Sequence, residues 1–175
     1  MHKNLKKRIV YKNKWIKILS KKIKFKYIKE NYYYSIIQKD YVWIIVKTDN
    51  NLFPLVKQYR HSIEKYTLEF PSGTLEKKET PKECAIKEVK EETGLTVTKI
   101  KKMGVLYPDS GRLGNKAHMY YAECSNENIA PIDKKEGIKV HYYSKKDIKE
   151  LIKNNKILQQ PHVGLFYTAI IQKLI

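Results

Sequence analysis

The sequence predicts a mixed α/β domain of the α+β kind, and three observations predict it. Segments rich in β-branched and aromatic residues lie on both sides of a central stretch with helical character. That stretch carries a start signal and a stop signal twelve to fourteen residues apart. The C-terminal part, from Ser144 on, holds two more helix-like segments. Strands before and after a central helix, closed by helices, give a mixed sheet rather than an all-β or all-α fold.

In chain order, "KWIKILSKKIKFKYI" alternates imperfectly and reads as one or two strands, and "YYYSII" and "YVWIIVKT" read as strands. "DNN" (Asp49–Asn51) is a turn signal, and "LFPLVKQYR" reads as the return strand of a hairpin. "KYTLEF" alternates, with Tyr66, Leu68 and Phe70 on one face. Next, Thr80-Pro81-Lys82-Glu83 offers a cap, a proline at the first helical position and a capping-box acid, while Gly94 offers a left-handed stop. A helix is therefore expected over Pro81–Thr93. Strands follow at "KKMGVLY", "HMYYAEC" and "IKVHYYS". "SKKDIKELIKNN" is a helix with Ser144 and Asp147 in capping positions, and "PHVGLFYTAIIQKLI" is a final helix.

The 175 residues suit one domain, and 42% hydrophobic residues suffice for a core. No apolar run is long enough for a membrane span, and no signal peptide is evident. Cys84 and Cys124 match no metal or redox spacing, which points to buried or free thiols and a cytoplasmic setting. The net charge is +18, yet only Arg8, Arg60 and Arg112 are arginines. A groove reader is expected to use Arg, and a Lys, Ile, Asn and Tyr excess is what AT-rich coding produces. Most of the charge is therefore expected to be a solvated surface. The least neutral part is residues 1–30, with twelve Lys and Arg and Glu30 as the one acid.

Against that background, "GTLEKKETPKECAIKEVKEETGL" (Gly73–Leu95) gathers six glutamates. At about 100° per residue, Glu88, Glu91 and Glu92 fall within an arc of about 100° beside Ala85 and Val89, the core-facing positions. Like charges at this spacing repel and need a cation. Oxygen donors without His or Cys suit Mg²⁺ or Mn²⁺ rather than Zn²⁺. An exposed, simply solvated acidic face is the other reading of such a cluster.

The segment resembles the Nudix box, G-x5-E-x7-R-E-U-x-E-E-x-G-U, through Gly73, Glu79, Glu88, Val89, Glu91, Glu92, Gly94 and Leu95. Lys87 stands where that family has Arg. The resemblance implies the Nudix fold, a mixed β-sheet sandwiched between helices with an N-terminal antiparallel β-sheet region. It divides the chain into an N-terminal strand region (1–40), part of the same unit and a candidate dimerisation element, and a hydrolase domain (41–175). It also implies Mg²⁺ held by Glu88 and Glu92, with Glu91 as a ligand or base and the Ser72 carbonyl as a further ligand. In the family the Arg at this position pairs with the loop Glu, so Lys87 is expected to pair with Glu79.

The flanks resemble the ADP-ribose pyrophosphatase branch. "QYR" and "EFPSG" point to Arg60 on the substrate's phosphates or ribose and to Glu69 as a substrate contact or a buttress for Gly73. "YPDSGRLGN" points to Asp109 at the sugar and Arg112 at a phosphate. "KEGIKV" points to Glu136 as general base or an extra metal ligand, with the base the preferred role, and "NKWIKI" to Trp15 as an adenine platform in a homodimer, with Tyr33 second. The expected reaction is hydrolysis of ADP-ribose or a related nucleotide sugar to a nucleoside monophosphate and a sugar phosphate. RNA 5′ ends, dinucleoside polyphosphates or GDP-sugars are alternative substrates, and a non-catalytic nucleotide-binding module is a third reading. No membrane partner is expected, and nucleic acid only as an alternative substrate.

Overall fold

The computed structural model describes residues 3–25, 28–127, 129–130 and 137–175. They divide into two compact units: one made of Met1–Asp40 with Tyr107–Lys116, the other of Tyr41–Leu106 with Ala117–Ile175.

The smaller unit is an antiparallel sheet of β1 (Lys3–Lys12), β2 (Lys17–Phe25) and β3 (Ile28–Ile37), in that order. The β1–β2 turn is set by Asn13, whose Oδ1 accepts the N–H groups of Trp15 (2.8 Å) and Ile16 (2.7 Å). Among the described residues this unit buries no hydrophobic side chain. Its sequence carries 15 Lys and Arg against 3 acids, so +12 of the chain's +18 lies in these 50 residues. Lys6 faces Lys22, Lys7 faces Lys21 and Lys12 faces Lys17 directly across the β1–β2 ladder. Like charges in such positions destabilise the pairing.

The larger unit holds β4 (Tyr41–Thr48), β5 (Phe53–Arg60), β6 (Lys65–Glu69), β7 (Ser72–Thr74), α1 (Pro81–Thr93), β8 (Thr96–Leu106), β9 (Ala117–Ser125), β10 (Lys139–Tyr143), α2 (Lys145–Lys153) and α3 (Gln160–Ile171). The order β7-β4-β9-β8 makes a mixed sheet, in which β4 runs parallel to β9. Alternation along its central strands sends Trp43, Ile45, Met119 and Tyr121 to one face, where α2 and α3 pack through Ile148, Leu165, Phe166 and Ala169. Val42, Ile44, Val46, Tyr120 and Ala122 go to the other face, against Cys84, Ala85 and Val89 of α1. A mixed sheet between helices is thus the architecture of this unit.

The helix limits follow from their caps. Thr80 and Glu83 form the reciprocal capping box, Pro81 occupies the first turn, and Gly94 ends α1 at φ 73° with its N–H on the Lys90 carbonyl. A side chain at Gly94 would meet the Ala130 carbonyl oxygen at 2.2 Å. Ser144 and Asp147 form the same box at α2.

Three expectations are corrected. The Asp49–Asn51 turn exists, with Asn51 at φ 56° and Thr48 N–H on the Leu52 carbonyl (2.9 Å), but β5 is not the hairpin partner of β4. β5 instead joins β6 and β10 in a separate antiparallel sheet, while β4 takes β7 and β9 as neighbours. The face of Tyr66, Leu68 and Phe70 is inward only at its end: Leu68 and Phe70 pack with the apolar core, Tyr66 is 63% exposed, and on the opposite face of β6 Thr67 and Glu69 are buried as well. The buried polar pair is stable there because Gln58, Arg60 and His162 meet it. The final helix stops at Ile171, short of the chain end.

Candidate active site at the loop and helix after β6

The four residues from Phe70 to Gly73 connect β6 to the loop before α1, and each is fixed by a different group. Phe70 N–H donates to His162 Nδ1 on α3 (3.0 Å), and the Pro71 carbonyl accepts from Ile44 of β4 (2.9 Å). Ser72 N–H donates to Glu92 Oε2 on α1 (2.9 Å). Gly73 lies against the Glu88 carboxyl so closely that a Cβ there would fall 2.0 Å from Glu88 Cδ. A side chain here would push the Glu88 carboxyl aside, so the glycine lets that carboxyl rest against the loop.

Glu88 and Glu92 are one helical turn apart on α1. Glu92 is 7% exposed, and Glu91 is exposed. The expected pairing of Lys87 with Glu79 is formed: Nζ lies 2.9 Å from Glu79 Oε1 and 3.7 Å from Glu88 Oε1. The Glu76 N–H and then Lys87 hold the Glu79 carboxyl below its ordinary range. The hydrogen bond to Glu79 in turn raises Lys87. Cys84 lies beneath, its Sγ 4.0 Å from Glu88 Oε1. Burial, reinforced by Glu79 and Glu88, pushes its thiol up to about 12, so it stays protonated and inert.

Among the described residues no group of three or more His, Cys, Asp or Glu side chains is gathered as a ready cation cage. The donor chemistry still fits a hard cation. Magnesium is commonly bound through one or two carboxylates, with waters and substrate phosphates completing its shell. Glu88 and Glu92, one turn apart beside a glycine loop, supply such a pair.

The second feature is a buried polar network on β5 and β6. Glu69 is fully buried, and its two oxygens accept from Arg60 Nε (2.8 Å) and Arg60 Nη2 (2.5 Å). Thr67 Oγ1 donates to Oε1, and Gln58 Nε2 lies 3.4 Å from Oε2. Burial alone would raise the Glu69 carboxyl, but its bonds to Arg60 and Thr67 and the Arg60 charge outweigh this and hold it below its ordinary range. Glu69 thus anchors a forked pair, and the Arg60 side chain is 38% exposed.

Arg60, Glu69, Ser72, Glu88, Glu91 and Glu92 all belong to the larger unit; Trp15, Asp109 and Arg112 belong to the smaller one. Trp15 is 82% exposed, with Lys14 Nζ 4.7 Å from its ring centroid, so it is no core residue. Asp109 Oδ1 caps a turn by accepting Gly111 N–H (2.9 Å), and its carbonyl accepts from Leu113 (2.7 Å). Arg112 is exposed, and its carbonyl accepts Ile36 N–H (2.9 Å). Tyr33 donates its hydroxyl to the Gly111 carbonyl. Glu136 lies outside the described residues.

His162 is the residue that sequence reasoning missed. A histidine among apolar residues on α3 gave no sign that its ring would reach the end of β6. The one available signal was its place at the start of a helix otherwise rich in apolar side chains.

A mixed sheet between helices, with an acidic helix entered through a clamped glycine loop, defines an α+β domain of the Nudix type. The chain belongs to the NUDIX domain family, whose model matches residues 38–161. It is 30% identical over 118 residues to the ADP-ribose pyrophosphatase of Bacillus subtilis (strain 168), a match covering 66% of this chain and 64% of the relative. Identity and coverage are the same for the methanol dehydrogenase activator of Bacillus methanolicus. The matched stretch thus spans somewhat less than two thirds of either relative. Among solved structures, an ADP compounds hydrolase superposes with a TM-score of 0.84 at 16% identity, covering 98% of this chain and 93% of that one. At that identity the likeness is one of fold. Among the described residues no helix is long and apolar enough to cross a membrane.

Proposed function

We propose that the chain is a Mg²⁺-dependent hydrolase that cleaves the pyrophosphate of ADP-ribose or a related nucleoside diphosphate sugar, giving a nucleoside monophosphate and a sugar phosphate. One observation carries the reading: the clamped loop that sets Glu88 against Gly73 and Glu92 against Ser72 N–H. The bacterial ADP-ribose pyrophosphatase, with its shared residues, supports the substrate class.

In this reading Glu88, Glu92 and Glu91, with the Ser72 carbonyl, hold the cation; Mn²⁺ can replace Mg²⁺. Such an ion, when bound, neutralises phosphate charge and lowers the pKa of water. The chain's own residues do the rest. Lys87 and Glu79 keep the loop against α1. Arg60, held by Glu69, presents positive charge to the phosphates. Arg112 adds a phosphate contact, Asp109 meets the sugar, and Trp15 stacks on the base in a homodimer. Glu136 takes the proton from the attacking water. The setting is the cytoplasm, in keeping with two buried free thiols.

A second reading is favoured by one observation, the +12 net charge and facing lysine pairs of the smaller unit. Coding bias acts evenly along a chain and does not account for this concentration. A polyanionic substrate, such as an RNA 5′ end, would relieve the repulsion.

One panel separates the two. ADP-ribose, other nucleotide sugars, dinucleoside polyphosphates and triphosphate or capped RNA are assayed for released phosphomonoester, with Mg²⁺, with Mn²⁺ and with chelator. Turnover of ADP-ribose above the RNA ends, abolished by chelator, is the expected result. The reverse ranking would replace the first reading by the second. Light scattering tests the homodimer.

A further inference from the structure

His162 is buried at 1% exposure on α3, makes no contact with the carboxylates of α1 in the bonds described above, and has no part in the proposed chemistry. We propose that His162 is a positioning residue for the hydrolase site: a neutral acceptor that fixes the backbone at Phe70 and, through it, the Ser72–Gly73 loop. The proposal rests on the hydrolase reading, and the test below separates the two.

Phe70 lies one residue beyond the last ladder pair of β6, Val56 with Glu69. Its N–H therefore lacks a strand partner, yet Phe70 is fully buried. A buried N–H without an acceptor is costly. His162 Nδ1 supplies the acceptor at 3.0 Å. Accepting at Nδ1 requires the neutral ring with its proton on Nε2.

The surroundings keep the ring in that state. Its plane lies 13° from that of Phe70 at 6.3 Å, and Trp43 packs at 6.1 Å. The charged groups facing it are Glu69 of β6, whose Oε2 lies 3.8 Å from Nε2, and Arg60 of β5, which already holds that carboxylate. Burial, opposed by Glu69 and aided by Arg60, pushes the His162 pKa down to about 4. The acceptor is thus present across the neutral range.

Its position gives the bond leverage. Phe70 separates Glu69, which anchors Arg60, from Pro71 and Ser72, whose backbone reaches β4 and Glu92. Releasing the Phe70 N–H frees the loop at its entry while leaving the α1 carboxylates intact. Small displacements of such a loop cost rate more than fold, since misplacement by about 1 Å can cost about a hundredfold.

The test uses the full chain and two variants. His162→Asn can place an amide oxygen near the Nδ1 position; His162→Leu keeps bulk without an acceptor. Hydrogen exchange of the segment 68–74 and steady-state kinetics with ADP-ribose and Mg²⁺ are measured for each. The expected result is fast exchange at Phe70 and a kcat at least about tenfold lower in the Leu variant, with KM nearly unchanged. Asn restores slow exchange and most of kcat. Unchanged exchange in the Leu variant, or an Asn variant as impaired as Leu, would overturn the proposal. If the Leu variant does not fold, Asn decides: wild-type exchange together with a loss above about tenfold also overturns it. If the wild-type protein does not hydrolyse ADP-ribose, the substrate reading fails, while the exchange data still decide the role of His162.

Discussion

Lys87 Nζ lies 2.9 Å from Glu79 Oε1 and 3.7 Å from Glu88 Oε1, so one ammonium joins the loop acid to an acid of α1. An ammonium bonds as a point charge, whereas a guanidinium can add a second parallel hydrogen bond. Lys87→Arg is therefore expected to be tolerated or to raise turnover. Lys87→Ala leaves two neighbouring carboxylates without their shared cation, and turnover is expected to fall between about ten- and a hundredfold. Kinetics and thermal melts of both variants check this. An Ala variant silent in rate and melting temperature would remove Lys87 from the site.

Glu92 accepts Ser72 N–H through Oε2, and in the proposed reading it also holds the cation. Glu92→Gln separates these duties, because an amide oxygen can still accept from Ser72 but carries no charge. The fold is expected to survive, while kcat falls at least about a hundredfold, the order that several kcal/mol of lost charge stabilisation implies. Full turnover at saturating Mg²⁺ would sink the ligand assignment.

How much of this was legible depends on the range of the interactions. The limits of α1 were readable because Thr80, Pro81, Glu83 and Gly94 act within a few residues of the ends they fix. Gly73 and Glu88 were readable as motif positions, and the structure adds their close approach. Strand partners were not readable from local pattern. The turn after Thr48 looks like a hairpin, yet β5 pairs with β10, more than eighty residues away in sequence. The burial of the Thr67 and Glu69 face of β6 was missed because that face is polar, and alternation marks only apolar faces. Thr67 and Glu69 are buried there because Arg60, from the neighbouring strand, meets Glu69. β1 was not resolved as a strand of its own, since its lysines mask the alternation.

The pH dependence of stability follows from His162. Its pKa lies at about 4 in the folded chain, against an ordinary value of 6.5. Between these values the unfolded chain binds a proton that the folded chain does not, so stability rises with pH. The contribution is complete above about 6.5 and is lost as pH falls toward about 4. Glu69 acts in the same direction further down: its folded pKa is depressed, so its contribution is present above the ordinary carboxylate value and lost as pH falls through the folded one. Denaturant unfolding at pH 7, 6 and 5 is expected to show a steady loss before the carboxylates titrate. His162→Asn should flatten that part of the curve. Parallel curves for the two proteins would mean that the ring is not held neutral.

The last prediction concerns the base. Attack on a pyrophosphate near neutral pH needs a nucleophile close to hydroxide, and a carboxylate within hydrogen-bond reach of the water supplies it by taking the proton. Glu88 and Glu92 are already engaged, the first against Gly73 and Lys87 and the second with Ser72. In the proposed reading both also serve the cation, so the proton acceptor comes from elsewhere. Glu136 is the acid that the resemblance of "KEGIKV" supplies, just ahead of β10. A base from a stretch of sequence separate from the cation ligands leaves Glu88 and Glu92 free to serve the cation while the proton goes elsewhere. Glu136→Gln is expected to lower kcat by about 10²–10⁴-fold with little change in KM, the usual cost of losing a general base. The acidic limb of the kcat profile should disappear with it. A fall below tenfold with the limb intact would transfer the role to Glu91, the exposed acid of the same helix.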